Sequence, residues 1–109
     1  MNVTRQNVGK TTVFVVEGQV DMHTSPDLRR HLRESLTDRA SRIVVDLGKV
    51  TFIDSSGLAT LIEALQAVRK YGGALRLCGL SPNVRNLFRL SNLTSIFDLR
   101  ESREEAVKD

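Results

Sequence analysis

The sequence predicts a single α/β domain built on a mixed, mostly parallel β-sheet flanked by about four helices. Three observations lead there. Strand-like and helix-like segments alternate along the chain in the order strand, helix, strand, helix, strand, helix, which is the arrangement that builds a parallel sheet through right-handed crossovers. The run Arg42-Ile43-Val44-Val45-Asp46-Leu47 is continuously apolar at its centre, as suits a strand covered on both faces. Finally, 109 residues with 40% hydrophobic and 27% charged side chains leave room for one core and none for a second domain, which excludes an enzyme with separate cofactor and substrate domains.

The elements follow in order. Thr12 to Glu17 is rich in β-branched residues and ends at Gly18, with Gly9-Lys10 as the turn before it, so a first hairpin adds an antiparallel edge. In Thr24-Ser25-Pro26-Asp27, Ser25 is placed to cap a helix, Pro26 suits its first position, and Asp27 complements the positive end of the dipole. Leu28, Leu32 and Leu36 then give a helix over about 26–37 a narrow buried stripe. After the central strand at 42–47, Leu58, Leu61, Ile62, Leu65 and Val68 repeat at helical spacing, predicting a helix from about Ser56 to Tyr71 that Gly72-Gly73 terminates. Ala74 to Cys78 alternates as a strand. Ser81-Pro82 repeats the cap-then-proline start, with Val84, Leu87 and Phe88 on the apolar side of a shorter helix. Beyond Ile96-Phe97, Ser102-x-x-Glu105 is a capping box for a short last helix.

The most informative stretch is Val50-Thr51-Phe52-Ile53-Asp54-Ser55-Ser56-Gly57-Leu58. It sets two hydroxyls at the junction between an apolar strand-like segment and the start of a helix, where backbone N–H groups lack intrahelical partners and favour anions. One reading is structural: Ser55 caps the helix and Asp54 closes the turn. The other is that a serine is covalently modified, because a phosphate brings about −1.5 to −2 charges to a place where a fold tolerates them. Asp54 beside it, and Asp21 at another strand exit, would then form an acidic cluster that repels a partner fitted to the neutral hydroxyl. Stepping by 100° along the helix puts Thr60, Glu63 and Ala67 opposite the leucine stripe, where partner contacts are expected, with an ordinary solvated flank as the alternative for Glu63.

Asp54-Ser55-Ser56-Gly57-Leu58, preceded by Val44-Val45-Asp46-Leu47 and by Gly18-Gln19-Val20-Asp21, resembles the bacterial anti-sigma factor antagonists of the STAS domain family. The resemblance extends to Leu80-Ser81-Pro82-Asn83-Val84 with Leu87-Phe88 and to Leu93, Ile96 and Phe97, so it covers residues 1–109 with a core at about 3–108. It implies a STAS-like fold and a partner switch without an active site of its own. The unphosphorylated form would sequester an anti-sigma factor that is also a serine-protein kinase of the GHKL type, freeing a sigma factor for transcription, and a PP2C-type phosphatase would restore the serine. Carried over to this chain, Ser55 is the phosphoacceptor, with Ser56 the second choice. Partner contacts are expected from Asp21, Thr24, Asp54, Ser55, Ser56, Gly57, Thr60 and Glu63. Two alternatives stay open: a non-switching STAS accessory subunit of a membrane lipid-transport complex, in which the serines are structural, and a small-ligand or nucleotide sensor.

Other constellations carry less. His23 and His31 are the only histidines, no Gly-x-Ser-x-Gly elbow is present, and neither phosphate-cradling glycine motif occurs, so no catalytic residue, metal or cofactor is expected. The lone Cys78 reads as a small buried apolar residue in a reducing compartment. A formal charge of +3 hints at nucleic acid, but Arg29, Arg30, Arg33, Arg39 and Arg42 are interspersed with Asp27, Glu34 and Asp38, and aromatic residues are few, so a solvated face is the better reading. No apolar run approaches a membrane span and the start lacks a signal-peptide pattern. The expectation is a cytoplasmic protein, monomeric when free, whose partners are proteins and not membranes or nucleic acid.

Overall fold

A computed structural model describes residues 1–108. Its elements are β1 (Asn2–Val8), β2 (Thr11–Val20), α1 (Ser25–Thr37), β3 (Arg42–Ile53), α2 (Ser55–Lys70), β4 (Ala74–Cys78), α3 (Pro82–Leu90), β5 (Asp98–Arg100) and α4 (Arg103–Ala106). The five strands lie in sequence order, β1 antiparallel to β2 and every later pair parallel. This is the α/β fold that the alternating segments predict. Because each crossover is right-handed and each moves the chain one strand further in the same direction, α1, α2 and α3 must all fall on one face of the sheet. The opposite face is left to α4.

That asymmetry divides the core. On the helical face Phe14, Val16, Ile43, Val45, Leu75 and Leu77 of the strands meet Leu28 and Leu32 of α1, Leu61 and Leu65 of α2, and Phe88 of α3, whose ring meets Phe97 edge-on at 5.6 Å. On the back, Val13, Val15, Val44 and Cys78 pack against Ala106. A four-residue helix has little apolar area to hold itself there, and strand arginines supply the rest. Arg76 donates to the carbonyls of Ala106 (2.9 Å) and Lys108, Arg42 donates to that of Val107 (3.1 Å), and Arg103 pairs with Asp46 at 2.8 Å. Cations at the C-terminal carbonyls of a helix also complement its dipole.

Most local signals act as expected. Ser81 accepts from the Val84 N–H with Pro82 opening α3, and Ser102 accepts from the Glu105 N–H. Glu105, however, reaches the N–H of Glu101 and not that of Ser102, so only half of the capping box forms. Gly72, at φ +82°, ends α2 in the left-handed conformation, and the N–H of Gly73 reaches back to the Val68 carbonyl. At the end of α1 the same conformation falls on Arg39, φ 55°, whose guanidinium lies 5.1 Å over the Tyr71 ring while the Tyr71 hydroxyl donates to the Ala40 carbonyl at 2.7 Å.

Three expectations change. Ser25 does not cap α1: the helix begins on it, and Thr24 holds the cap position with its hydroxyl turned elsewhere. The central strand runs on to Ile53, because β2 continues to pair with it through two register shifts. A fifth strand also forms at Asp98–Arg100, three residues too short to show a period and strand-like only because β4 is there to pair with.

Cys78 is completely buried, and burial first, with the Asp46 carboxylate next and Arg103 opposing, pushes its thiol up to about 12. The folded protein should therefore resist thiol reagents at pH 8 and react fully in urea, as absorbance of the released thiolate would record. The sign for stability follows: the contribution is intact below pH 9, the thiol's ordinary value, and is lost as pH rises from there towards 12.

Candidate functional site

Asp54 organises the start of α2. Its extended backbone (φ −101°, ψ −173°) leaves the end of β3 and turns its carboxylate across the first turn of the helix, where Oδ1 accepts from the N–H groups of Ser56 (2.9 Å) and Gly57 (3.2 Å). Its own N–H donates to the Val20 carbonyl at 3.1 Å, and its carbonyl accepts from the Leu58 N–H at 3.1 Å. One residue thus ties the ends of β2 and β3 to the start of α2. The cap is Asp54 and not Ser55, which corrects the structural reading of the serine. Ser55 is the first helical residue, exposed, with a hydroxyl that has no hydrogen-bond partner among the described residues. Ser56 is half-buried.

Gly57 explains why the helix can start so close to the sheet. A Cβ there would stand 2.8 Å from Ile53 Cγ2 and from Val20 Cγ1, and 3.0 Å from the Val20 carbonyl oxygen. Any side chain would push the first turn of α2 off the strand ends.

The loop after β2 lies beside it, since Val20 and Ile53 are register partners. Asp21 Oδ1 accepts from the N–H groups of His23 (2.9 Å) and Thr24 (3.1 Å) and from the Thr24 hydroxyl (3.2 Å), while that hydroxyl lies 2.9 Å from the Gln19 carbonyl. Partial burial disfavours the ionised Asp21, but these donors and the nearby His23 outweigh it and hold the carboxyl below its ordinary 3.8. The structure therefore brings Asp21, Thr24, Asp54, Ser55, Ser56 and Gly57 to one end of the sheet, as the sequence suggests. Both carboxylates are engaged in holding their own loops.

Thr60 and Glu63 lie opposite the leucine stripe, but not on a free surface. Thr60 is 1% exposed, with its hydroxyl donated back to the Ser56 carbonyl at 3.0 Å. Glu63 bridges to α1, pairing with Arg29 at 3.2 Å and Arg33 at 3.0 Å. The reason is that α1 packs along α2, so the side of α2 opposite the leucine stripe is partly an interhelical seam. Neither residue offers a free side chain at the Ser55 end. Sequence reasoning passed over Met22, 65% exposed in the loop that carries Asp21, and Phe52, 50% exposed near the end of β3 just before Asp54. The signal was available as two large apolar residues at strand exits that no helix or strand period needs.

No hydrogen bond links His23 or His31 to Ser55, and among the described residues no group of three His, Cys, Asp or Glu side chains is placed to hold a metal. No helix among them is long and apolar enough to cross a membrane.

The family model of the STAS domain matches residues 2–106. The chain belongs to the STAS domain family. Within it, BtrV of Bordetella bronchiseptica is 31% identical over 106 residues, covering 97% of this chain and 91% of that protein. The anti-sigma-B factor antagonist of Bacillus subtilis is 30% identical over 93 residues, 85% of this chain and 84% of its own. Among solved structures, the Bacillus cell fate determinant SpoIIAA in its phosphorylated form superposes with a TM-score of 0.76 at 23% identity, covering 97% of this chain and 96% of that one.

In this STAS domain the helix cap and the exposed serine are separate residues, so modification at Ser55 would leave the cap intact. Asp54→Ala should cost about 1 kcal/mol of stability, whereas Ser55→Ala should change it by less than about 0.5 kcal/mol, a contrast that urea unfolding midpoints will resolve. Gly57→Ala should cost about 1–3 kcal/mol, because the strand ends must give way to a methyl group. Equal stability of Gly57→Ala and wild type would contradict the close approach described here.

Proposed function

We propose that this STAS domain is an anti-sigma factor antagonist, a protein-binding switch controlled by phosphorylation of Ser55. The observation that carries the reading is the first turn of α2: an exposed hydroxyl without an internal partner, on a helix whose cap is supplied by the neighbouring Asp54. The names of its relatives support the same reading, since the Bacillus subtilis protein antagonises an anti-sigma factor and SpoIIAA exists in a phosphorylated form.

The mechanism follows from charge. A GHKL-type serine kinase that is itself the anti-sigma factor binds the unmodified loops at Asp21–Thr24 and Asp54–Gly57 and is thereby withheld from its sigma factor. When the Ser55 hydroxyl oxygen attacks the γ-phosphorus of ATP held by the kinase, ADP leaves, and the hydroxyl proton passes to a base of the kinase. Hydrolysis by a PP2C-type phosphatase releases inorganic phosphate and restores the serine. The phosphate gains little from the helix N-terminus, since Asp54 already accepts the N–H groups of Ser56 and Gly57 and supplies the carbonyl for that of Leu58. Its charge of about −1.5 to −2 stays outward, beside Asp54. The protein performs no chemistry of its own and works in the cytoplasm as a monomer between partners.

Incubation with the purified kinase of the same organism and ATP should place one phosphate on Ser55, read by peptide mass spectrometry. Ser55→Ala should bind the kinase and never release it, and Ser55→Asp should bind several-fold more weakly. Phosphate found only outside Ser55 and Ser56 would overturn the assignment.

A further inference from the structure

Beyond the serine itself, the surface around Ser55 is unusual in what it lacks. The two loops at this end, residues 18–26 and 50–60, contain no lysine or arginine, although the protein as a whole carries a formal charge of +3. Their two carboxylates are held by their own backbones. The guanidinium groups that α1 brings against α2, those of Arg29 and Arg33, are paired with Glu63, about 12 Å along α2 from Ser55.

Among the exposed residues of these segments, beside the polar Gln19, His23, Thr51 and Ser55, two are large and apolar. Met22 follows Asp21, and Phe52 stands two residues before Asp54, opposite Gln19 in the strand register. The sheet topology accounts for Phe52. Strand β4 pairs only with Arg42–Asp46, so from Leu47 onward β3 has no strand on that side, and α3 lies there instead. Between the two runs a groove of about 210 Å3, lined by Thr51, Phe52, Ile53, Asn83, Val84 and Leu87, ends beside the start of α2. It has room for one apolar side chain.

We propose that the partner is held at this end by apolar contact, with Met22 and Phe52 as anchors and the groove along α3 receiving one of its side chains, so that phosphorylation acts chiefly through desolvation. The inference rests on the reading of Ser55 as the switch and adds how the switch works. A dianion at the end of the sheet that carries these anchors must lose its water when the partner docks. Neither segment has a lysine or arginine to compensate, His23 being the one side chain there able to carry a positive charge, and a charge buried without a partner is costly. The occupant is therefore the apolar surface of the kinase that phosphorylates Ser55, and its hold on the unmodified protein depends little on salt.

The test is the affinity of the unphosphorylated full chain for the purified anti-sigma factor kinase of the same organism, measured by calorimetry at 0.1 and 0.5 M NaCl. Wild type should weaken less than threefold between the two salts. Phe52→Ser should bind at least tenfold more weakly and Met22→Ser several-fold more weakly, the loss expected when a large apolar contact is removed. Leu90→Ser, which alters an exposed leucine at the far end of α3, should stay within twofold of wild type. All three sites are exposed, and unchanged urea midpoints will verify folding. Affinities of Phe52→Ser and Met22→Ser within twofold of wild type, or a tenfold loss of wild-type affinity at high salt, would overturn the apolar anchors while leaving Ser55 as the switch. Absence of wild-type binding would overturn both readings.

Discussion

The end of the sheet that carries Ser55 depends on how Asp54 uses its polar groups. Its N–H goes to Val20 on the neighbouring strand, its carbonyl to Leu58, and one carboxylate oxygen to the N–H groups of Ser56 and Gly57. An unsatisfied buried donor or acceptor costs about 1–3 kcal/mol, so a junction that satisfies this many at once is fixed in place. With the cap supplied by an aspartate, the serine next to it carries no structural duty. A serine cap would have turned its hydroxyl inward and tied any modification of it to the integrity of the helix.

The same economy governs the loop at Asp21, whose carboxylate is taken up by His23 and Thr24. Two acidic residues side by side suggest an ionic recognition surface, but both are occupied with their own backbones. The outward-facing groups include the Ser55 hydroxyl, the His23 imidazole, a methionine and a phenylalanine.

The back of the sheet follows a different rule. Right-handed crossovers put three helices on one face, and the short α4 must cover Val13, Val15, Val44 and Cys78 on the other. Arginines from β3 and β4 bind its terminal carbonyls, and Arg103 pairs with Asp46. Several of the basic residues behind the +3 charge therefore fasten secondary structure together. Arg29 and Arg33 do the same between α1 and α2.

Much of this was legible in the chain. Periodicity located the long helices and the second, third and fourth strands, proline after serine marked α3, and the glycine pair marked the end of α2, because these are local effects of backbone sterics and of which side chains can share a face. The motif at 54–58 also located the site. Three things were not legible, each for a stated reason. Serine and aspartate are nearly equal as caps, so only the approach of β2 could decide that Asp54 takes the role and Ser55 faces water. A helical wheel gives directions around α2 without saying how many neighbours the helix has, so the burial of Thr60 and the pairing of Glu63 had to await α1. Met22 and Phe52 became meaningful only when register placed their loops together and the shortness of β4 opened a groove. The sequence by itself determined most of the elements, their order and the position of the Asp54–Leu58 motif; the tertiary structure decided which hydroxyl is free and what surrounds it, because exposure depends on contacts between segments distant in the chain.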